Sequence, residues 1–197
     1  MGTRLLFMAC LLILSACTRP TAPADFGEYL DEATGTTVVH VPEPAVYYRD
    51  VPALAAHARD YVSLAPVELS QAGQRRYLLW VWRWSTIDRS VPAPAGRERL
   101  ILVVDEEPME LRASRRPSLD RWPYAAPVNG GQGSFYALSR SQVARLGRAG
   151  QTAVYLEDGS SAVEYLPWRD TRSEFRAFAR RVEGRGAPGL TAASFDE

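Results

Sequence analysis

The chain contains no lysine: all 23 of its basic side chains are arginine. This excludes a Schiff-base amine, a catalytic lysine and a Walker-type phosphate loop. Cysteine is almost as scarce, with only Cys10 and Cys17. From residue 18 onward there is no thiol, so a disulfide framework, a cysteine nucleophile and a thiolate zinc site are excluded there. Two histidines, His40 and His57, are too few for a histidine-rich metal site. No excess of one charge exists either, since 23 acidic groups balance the arginines. The electrostatic reason to expect nucleic acid as a partner is therefore missing. The longest apolar run, Leu5 to Leu14, is about half the roughly 20 residues that a spanning helix needs. What remains is ordinary for a globular protein: 197 residues, 46% hydrophobic and 23% charged, enough for one compact domain with its own core.

The N-terminus has the layout of a secretory signal. Arg4 supplies the positive start, Leu5 to Leu14 the apolar core, and Ser15 and Ala16 the small residues before a cut. The tetrad Leu14-Ser15-Ala16-Cys17 resembles the lipobox of bacterial lipoproteins. That resemblance covers the leader alone. It implies cleavage between Ala16 and Cys17, a diacylglycerol on the Cys17 sulfur, and an acylated new amino terminus. Two or three acyl chains, at about 0.8 kcal/mol per buried methylene, hold a protein on a bilayer stably, whereas one is marginal. Thr18 follows, where aspartate would favour retention in the inner membrane. The resemblance therefore implies the outer membrane, facing the periplasm. The body resembles uncharacterised exported lipoproteins, which implies no activity.

Four segments are expected: a signal peptide (1–16), a lipidated tether (17–25), one β-rich domain (26–184) and a disordered tail (185–197). The tether reads Thr-Arg-Pro-Thr-Ala-Pro-Ala-Asp after the cysteine, short and stiffened by proline. Within the domain, Thr37–Val41 and Ala45–Tyr48 read as strands separated by Pro42 and Pro44. Ala53 to Ala58 suggests a helical turn. Tyr61–Leu64 and Val67–Leu69 lead through Ser70–Gln74 into a return strand from Arg75 to Thr86. The alternation shifts phase at Pro66, which predicts a bulge or bend there. Both faces of the return strand are apolar, as in a central strand covered on two sides. Arg99–Val104 and Met109–Ala113 flank an acidic turn. Arg115 to Gly133 is a long loop with Trp122 and Tyr124 as anchors, and Ser134–Leu138 is a strand. Ser139 or Ser141 caps a short helix. Asp158-Gly159 turns a hairpin between Thr152–Leu156 and Ala162–Leu166. Thr171 and Glu174 form a capping box, and Phe175, Phe178, Ala179 and Val182 make one helical stripe. The fold class that follows is α+β: mostly antiparallel β, sandwich-like or a twisted sheet, with a C-terminal amphipathic helix packed on it.

Candidate sites are few. Trp80, Trp82 and Trp84 share one strand face by the period of two. They read as a packing face, with a stacking platform for sugar rings as the alternative. His57, Asp60 and Ser63 are the residue types of a nucleophilic triad and the basis of a hydrolase alternative, but no Gly-x-Ser-x-Gly elbow accompanies them. Asp105-Glu106-Glu107 lacks the spacing of a calcium loop and reads as a solvated hairpin tip. Asn129 to Gly133 is glycine-rich but precedes a strand, so it reads as a flexible loop. Arg75-Arg76 and Arg115-Arg116 read as solvated pairs. No metal, cofactor or catalytic residue is expected. The expected role is non-catalytic binding or assembly at the cell envelope, with an envelope protein or peptidoglycan as partner.

Overall fold

The computed structural model describes residues 26–87, 99–125, 131–158, 161–170 and 172–185. The leader, the lipobox, the tether, the turn at 159–160, the Thr171 cap and the tail beyond 185 lie outside the described residues. In chain order the strands are β1 (Gly27–Asp31), β2 (Thr36–His40), β3 (Ala45–Asp50), β4 (Arg59–Gln71), β5 (Gln74–Ser85), β6 (Leu100–Val104), β7 (Glu107–Leu111), β8 (Ala113–Ser114), β9 (Gln132–Leu138), β10 (Thr152–Asp158) and β11 (Ser161–Pro167). Helix α1 (Arg140–Arg148) joins β9 to β10, and α2 (Arg172–Gly184) follows β11.

The sheet grows outward from β4 and β5. Their turn, Ala72-Gly73, has positive φ at both residues (49° and 78°). That is the primed two-residue turn whose twist matches antiparallel strands. It fixes one register from Asp60↔Ser85 to Gln71↔Gln74. All strand pairs are antiparallel, in the order β7-β6-β10-β11-β3-β4-β5-β9-β8. β7 pairs β6 and β8 pairs β9, and only Arg112 separates β7 from β8. One continuous stretch thus joins the two ends of the order, so the sheet curls into a nearly closed barrel. Curling leaves few free edges to attract another chain.

One face of the sheet points into the barrel. It carries Tyr47, Val62, Leu64, Leu79, Val81, Leu100, Leu102, Met109, Leu111, Val154, Leu156 and Tyr136, all buried. The helices close the end of the barrel where the β4–β5 and β6–β7 turns lie. Ser139 accepts from the Gln142 amide while Gln142 Oε1 accepts from the Ser139 amide, so the first turn of α1 is capped as the sequence suggests. The predicted stripe of α2 is buried, with Phe178 fully enclosed. Gly147 of α1 packs directly against Ala179 of α2. Glu68, fully buried on β4, accepts from Arg185 at 3.1 Å and faces Arg75 at 3.7 Å, which ties the end of α2 to the sheet.

Three local expectations are corrected. β4 has no bulge at Pro66, since its register with β5 is unbroken. The irregularity lies on the neighbouring edge: His40 faces Val67 and Ala45 faces Leu64, so residues 41–44 oppose only Ala65 and Pro66. Pro66 has no N–H to offer that edge, and the chain there detours through Pro42 and Pro44. Ala53–Ala58 forms two successive turns, with the Leu54 amide on Val51 and the Ala58 amide on Ala55, rather than a helix. Strand β1 was not expected, because Gly27-Glu28-Tyr29 shows little alternation.

The contact between the helices gives a direct test. Alanine normally favours a helix over glycine, but a Cβ on Gly147 would overlap the Ala179 Cβ. Gly147→Ala is expected to destabilise the fold by about 1–3 kcal/mol in urea unfolding. A gain in stability would show that the helices do not pack at this point.

Candidate functional site

The register of β4 and β5 sorts the aromatic side chains on the outer face. Opposite partners are Tyr61 and Trp84, Ser63 and Trp82, Ala65 and Trp80. The three tryptophans do share a face, as their spacing predicts, and it is the face turned away from the helices. Their surroundings differ. Trp80 is buried beneath Tyr124, stacked at 5.0 Å, with Trp82 stacked on its other side at 5.7 Å. Trp80 is therefore a packing residue and is not available to a ligand. Trp82 is half-buried, and its indole N–H has no hydrogen-bond partner among the described residues. Trp84 stacks on Tyr61 at 5.2 Å with an interplanar angle of 11°.

The cover over Trp80 is the loop that the sequence marks for its anchors. Trp122 packs on Phe135 at 4.6 Å, and the Tyr124 hydroxyl donates to the Val41 carbonyl at 2.8 Å. The Tyr29 hydroxyl donates to the Arg121 carbonyl, and the Arg121 guanidinium lies 4.6 Å over the Tyr29 ring. Asp31 completes the strap. Its Oδ2 accepts from the Asp120 amide at 2.7 Å, and its Oδ1 accepts from the amide and hydroxyl of Thr34. Hydrogen bonds from Thr34 and from the Asp120 amide hold the Asp31 carboxyl below its ordinary value of 3.8. Burial lifts the phenols of Tyr124 and Tyr29 above the usual tyrosine range, so both stay neutral donors.

A second aromatic group lies beyond the strap, where β3, β4, β5 and the end of β11 meet. The Trp168 ring is edge-on to Tyr48 at 5.2 Å and to Tyr61 at 6.0 Å, and 52% of the residue is exposed. Arg59 sits 5.3 Å over Tyr48 and 5.2 Å over Trp168, with Asp50 neutralising it at 2.8 Å. The sequence shows no pattern that joins these residues. Tyr48 and Tyr61 meet through strand pairing, and Trp168 is brought in by its amide bond to the Val46 carbonyl.

A groove of about 680 Å³ opens where the β11–α2 and α1–β10 connections meet the barrel. Leu64, Leu102, Leu146 and Phe175 line its apolar part. The Tyr47 and Thr152 hydroxyls, 2.6 Å apart, sit within it. Burial raises the Tyr47 phenol. On the rim, hydrogen bonds from the Arg172 side chain lower the Asp170 carboxyl to about 2. Such a concave mouth with an apolar lining and a few polar groups is the usual form of a small-molecule site.

The other candidates are not assembled. His57 is exposed in the β3–β4 loop. Asp60 is paired with Arg49 at 2.8 Å, on the inner face. Ser63 is buried on the outer face, because an odd separation along a strand reverses the side. The acidic turn is a hairpin tip, Asp105-Glu106, and the Asp105 carboxylate accepts from the amides of Gly150 and Gln151 at 2.9 and 2.8 Å. Arg75 is committed to Glu68, and Arg116 lies 5.2 Å over Trp122. No group of three or more histidine, cysteine, aspartate or glutamate residues suited to a metal exists among the described residues. Of the glycine-rich stretch, only Gly131 to Gly133 is described. The chain matches no known protein family, no curated protein and no solved structure.

The lowered Asp31 group makes the strap sensitive to acid. A carboxyl whose folded pKa lies below 3.8 adds stability that is complete above that value and is lost as the pH falls through the folded one. Below 3.8 the Asp120 amide hydrogen bond to Asp31 is expected to weaken, with a smaller exchange protection factor at Asp120, referred to the intrinsic rate at the same pH, and altered emission from Trp122. In Asp31→Ala the protection factor should already be small at neutral pH and change little on acidification. Unchanged protection in that variant would mean that Asp31 does not fasten the strap.

Proposed function

We propose that the protein is a lipid-anchored component of the bacterial cell envelope, tethered through Cys17, with a non-catalytic binding or assembly role. The observation that carries this reading is the Leu14-Ser15-Ala16-Cys17 tetrad directly after a ten-residue apolar run. No described helix is long and apolar enough to cross a membrane. Asp60 and Ser63 point to opposite faces of the sheet and His57 lies in the exposed β3–β4 loop, so these three residues are not assembled as a triad. The groove beside α2 and the aromatic group around Trp168 are two surfaces among the described residues that suit a partner. Attachment facing the periplasm from the outer membrane is part of the same proposal.

Lipidation is tested in the bacterium. The wild-type chain is expected to incorporate labelled palmitate and to be processed at Ala16–Cys17, whereas Cys17→Ser stays as an unlabelled precursor. Labelling of the Cys17→Ser chain, or an unmodified mature N-terminus in mass spectrometry, would refute the anchor.

A second reading, recognition of cell-wall glycan, is favoured by the half-exposed Trp168 beside the Tyr61–Trp84 stack. Flat apolar faces of sugar rings lie on such aromatic surfaces, and an arginine at the edge supplies hydrogen bonds. It moves the platform from Trp80 to Trp84, Tyr61 and Trp168. In a pull-down on purified peptidoglycan, this reading expects Trp168→Ala and Trp84→Ala to lose binding while Trp122→Ala keeps it. Sedimentation that is absent, or indifferent to all three changes, rules the platform out.

A further inference from the structure

The loop between β3 and β4 is unusual for its composition. From Val51 to Ala58 it contains no Asp, Glu, Arg or Lys, and His57 is its one ionisable side chain. Residues 52–57, Pro-Ala-Leu-Ala-Ala-His, are all exposed, and Leu54 at the centre is 51% exposed. The loop is nevertheless built, held by the Val51–Ala58, Leu54–Val51 and Ala58–Ala55 backbone hydrogen bonds. An ordered surface loop ordinarily carries polar residues at its tip, and a contiguous apolar tip marks a contact. Four large hydrophobic side chains are at least half exposed among the described residues: Leu30, Leu54, Leu166 and Trp168. Leu166 is paired with Tyr48 on β3, and Trp168 is bonded to Val46, so three of the four belong to this one region.

Behind the tip the chemistry changes in a definite order. The Arg59–Asp50 pair stands at the base of the loop, and Tyr48, Tyr61, Trp84 and Trp168 follow directly behind it. A largely apolar tip backed by an arginine and by tryptophan and tyrosine rings has the composition of a surface that seats at a lipid interface. Aromatic side chains with a polar edge settle at the headgroup level, and arginine reaches the phosphates. A glycan platform needs the aromatic rings but has no use for the apolar tip.

We propose that this end of the barrel, the Val51–Ala58 loop with the Tyr48, Tyr61, Trp84 and Trp168 belt behind it, lies on the surface of a phospholipid bilayer. The inference rests on the anchoring reading, because lipidation at Cys17 holds the body near a membrane. The geometry allows both contacts at once. Gly27 is in register with His40, and His40 with Val67, which places the start of β1 eight residues along β4 from Arg59. At about 3.3 Å per residue this is about 26 Å. The ten residue steps from Cys17 to Gly27 span up to about 33 Å when extended. The anchor therefore reaches the bilayer while the loop end faces it, and the helix-closed end points away.

The test uses the full-length lipidated protein in vesicles of phosphatidylethanolamine and phosphatidylglycerol, with and without lipids brominated on their acyl chains. Bromine quenches tryptophan only at close range, so emission is expected to fall in the brominated vesicles. Trp168→Phe should remove most of that fall, and Leu54→Asp should reduce it while palmitate labelling and near-ultraviolet circular dichroism stay unchanged. Both positions are exposed, so the fold tolerates the changes. A palmitate-labelled protein with no quenching overturns this proposal and leaves the anchor intact. Absence of palmitate refutes the anchor instead, and quenching in that unlabelled protein still supports the surface. Trp168-dependent sedimentation with peptidoglycan, together with no quenching by lipid, overturns the bilayer contact in favour of glycan.

Discussion

Twelve consecutive residue pairs hold β4 and β5 in one register, and the middle of both strands is covered on two sides. That constraint organises the rest of the molecule. A strand pair buried on both faces needs two separate coverings. The inner one is the barrel core closed by α1 and α2, and the outer one is the strap from Arg115 to Ala125. With no disulfide available beyond residue 18, these two apolar layers and the hydrogen bonds at their margins supply the stability. The polar fastenings are few and specific: Glu68 with Arg185 and Arg75 inside, Asp31 with the Asp120 amide outside. Glu68 is buried while Arg185 and Arg75 keep more than a third of their side chains in solvent, so the contact locates the end of α2 with a strength that water screens.

The outer face divides into a covered half and an open half. Tyr124 and Trp122 seal Trp80 and Phe135, whereas Trp84 and Tyr61 pass out from under the strap toward Trp168. The boundary falls at Trp82, half-buried, whose indole N–H has no hydrogen-bond partner among the described residues. One strand thus contributes to the core at one end and to an exposed aromatic surface at the other. Opposite ends of the barrel also differ in kind. The end with the β4–β5 and β6–β7 turns is closed by helices, and at the other end the β3–β4 loop presents Pro52 to Ala56, a run with no ionisable side chain.

Much of the architecture could be read from local chemistry. The Ser139–Gln142 cap, the α2 stripe, the hairpin at Ala72-Gly73 and the paired strands across Asp105-Glu106 depend on neighbours within a few residues. Trp122 and Tyr124 were legible as anchors because large aromatics in a proline-rich loop need burial. The bulge at Pro66 was misplaced because the phase shift in one strand reflects an extra pair of residues in the strand beside it. Nothing within β4 encodes on which strand the excess falls. The candidate site was only half legible: period two gives the shared face of the three tryptophans, but the burial of Trp80 depends on Tyr124, 44 positions away.

The sequence by itself determined the absence of thiols and lysine from the body, the apolar run from Leu5 to Leu14, and the α+β class, because composition and short-range periodicity are local properties. Only the tertiary structure decided that the sheet nearly closes, that Asp60 and Ser63 serve opposite faces, and that Arg59, Tyr48, Tyr61, Trp84 and Trp168 form one surface. Those outcomes depend on which strands become neighbours and in what register. That choice is made by the summed burial of side chains far apart in the chain, and no single stretch of residues contains it.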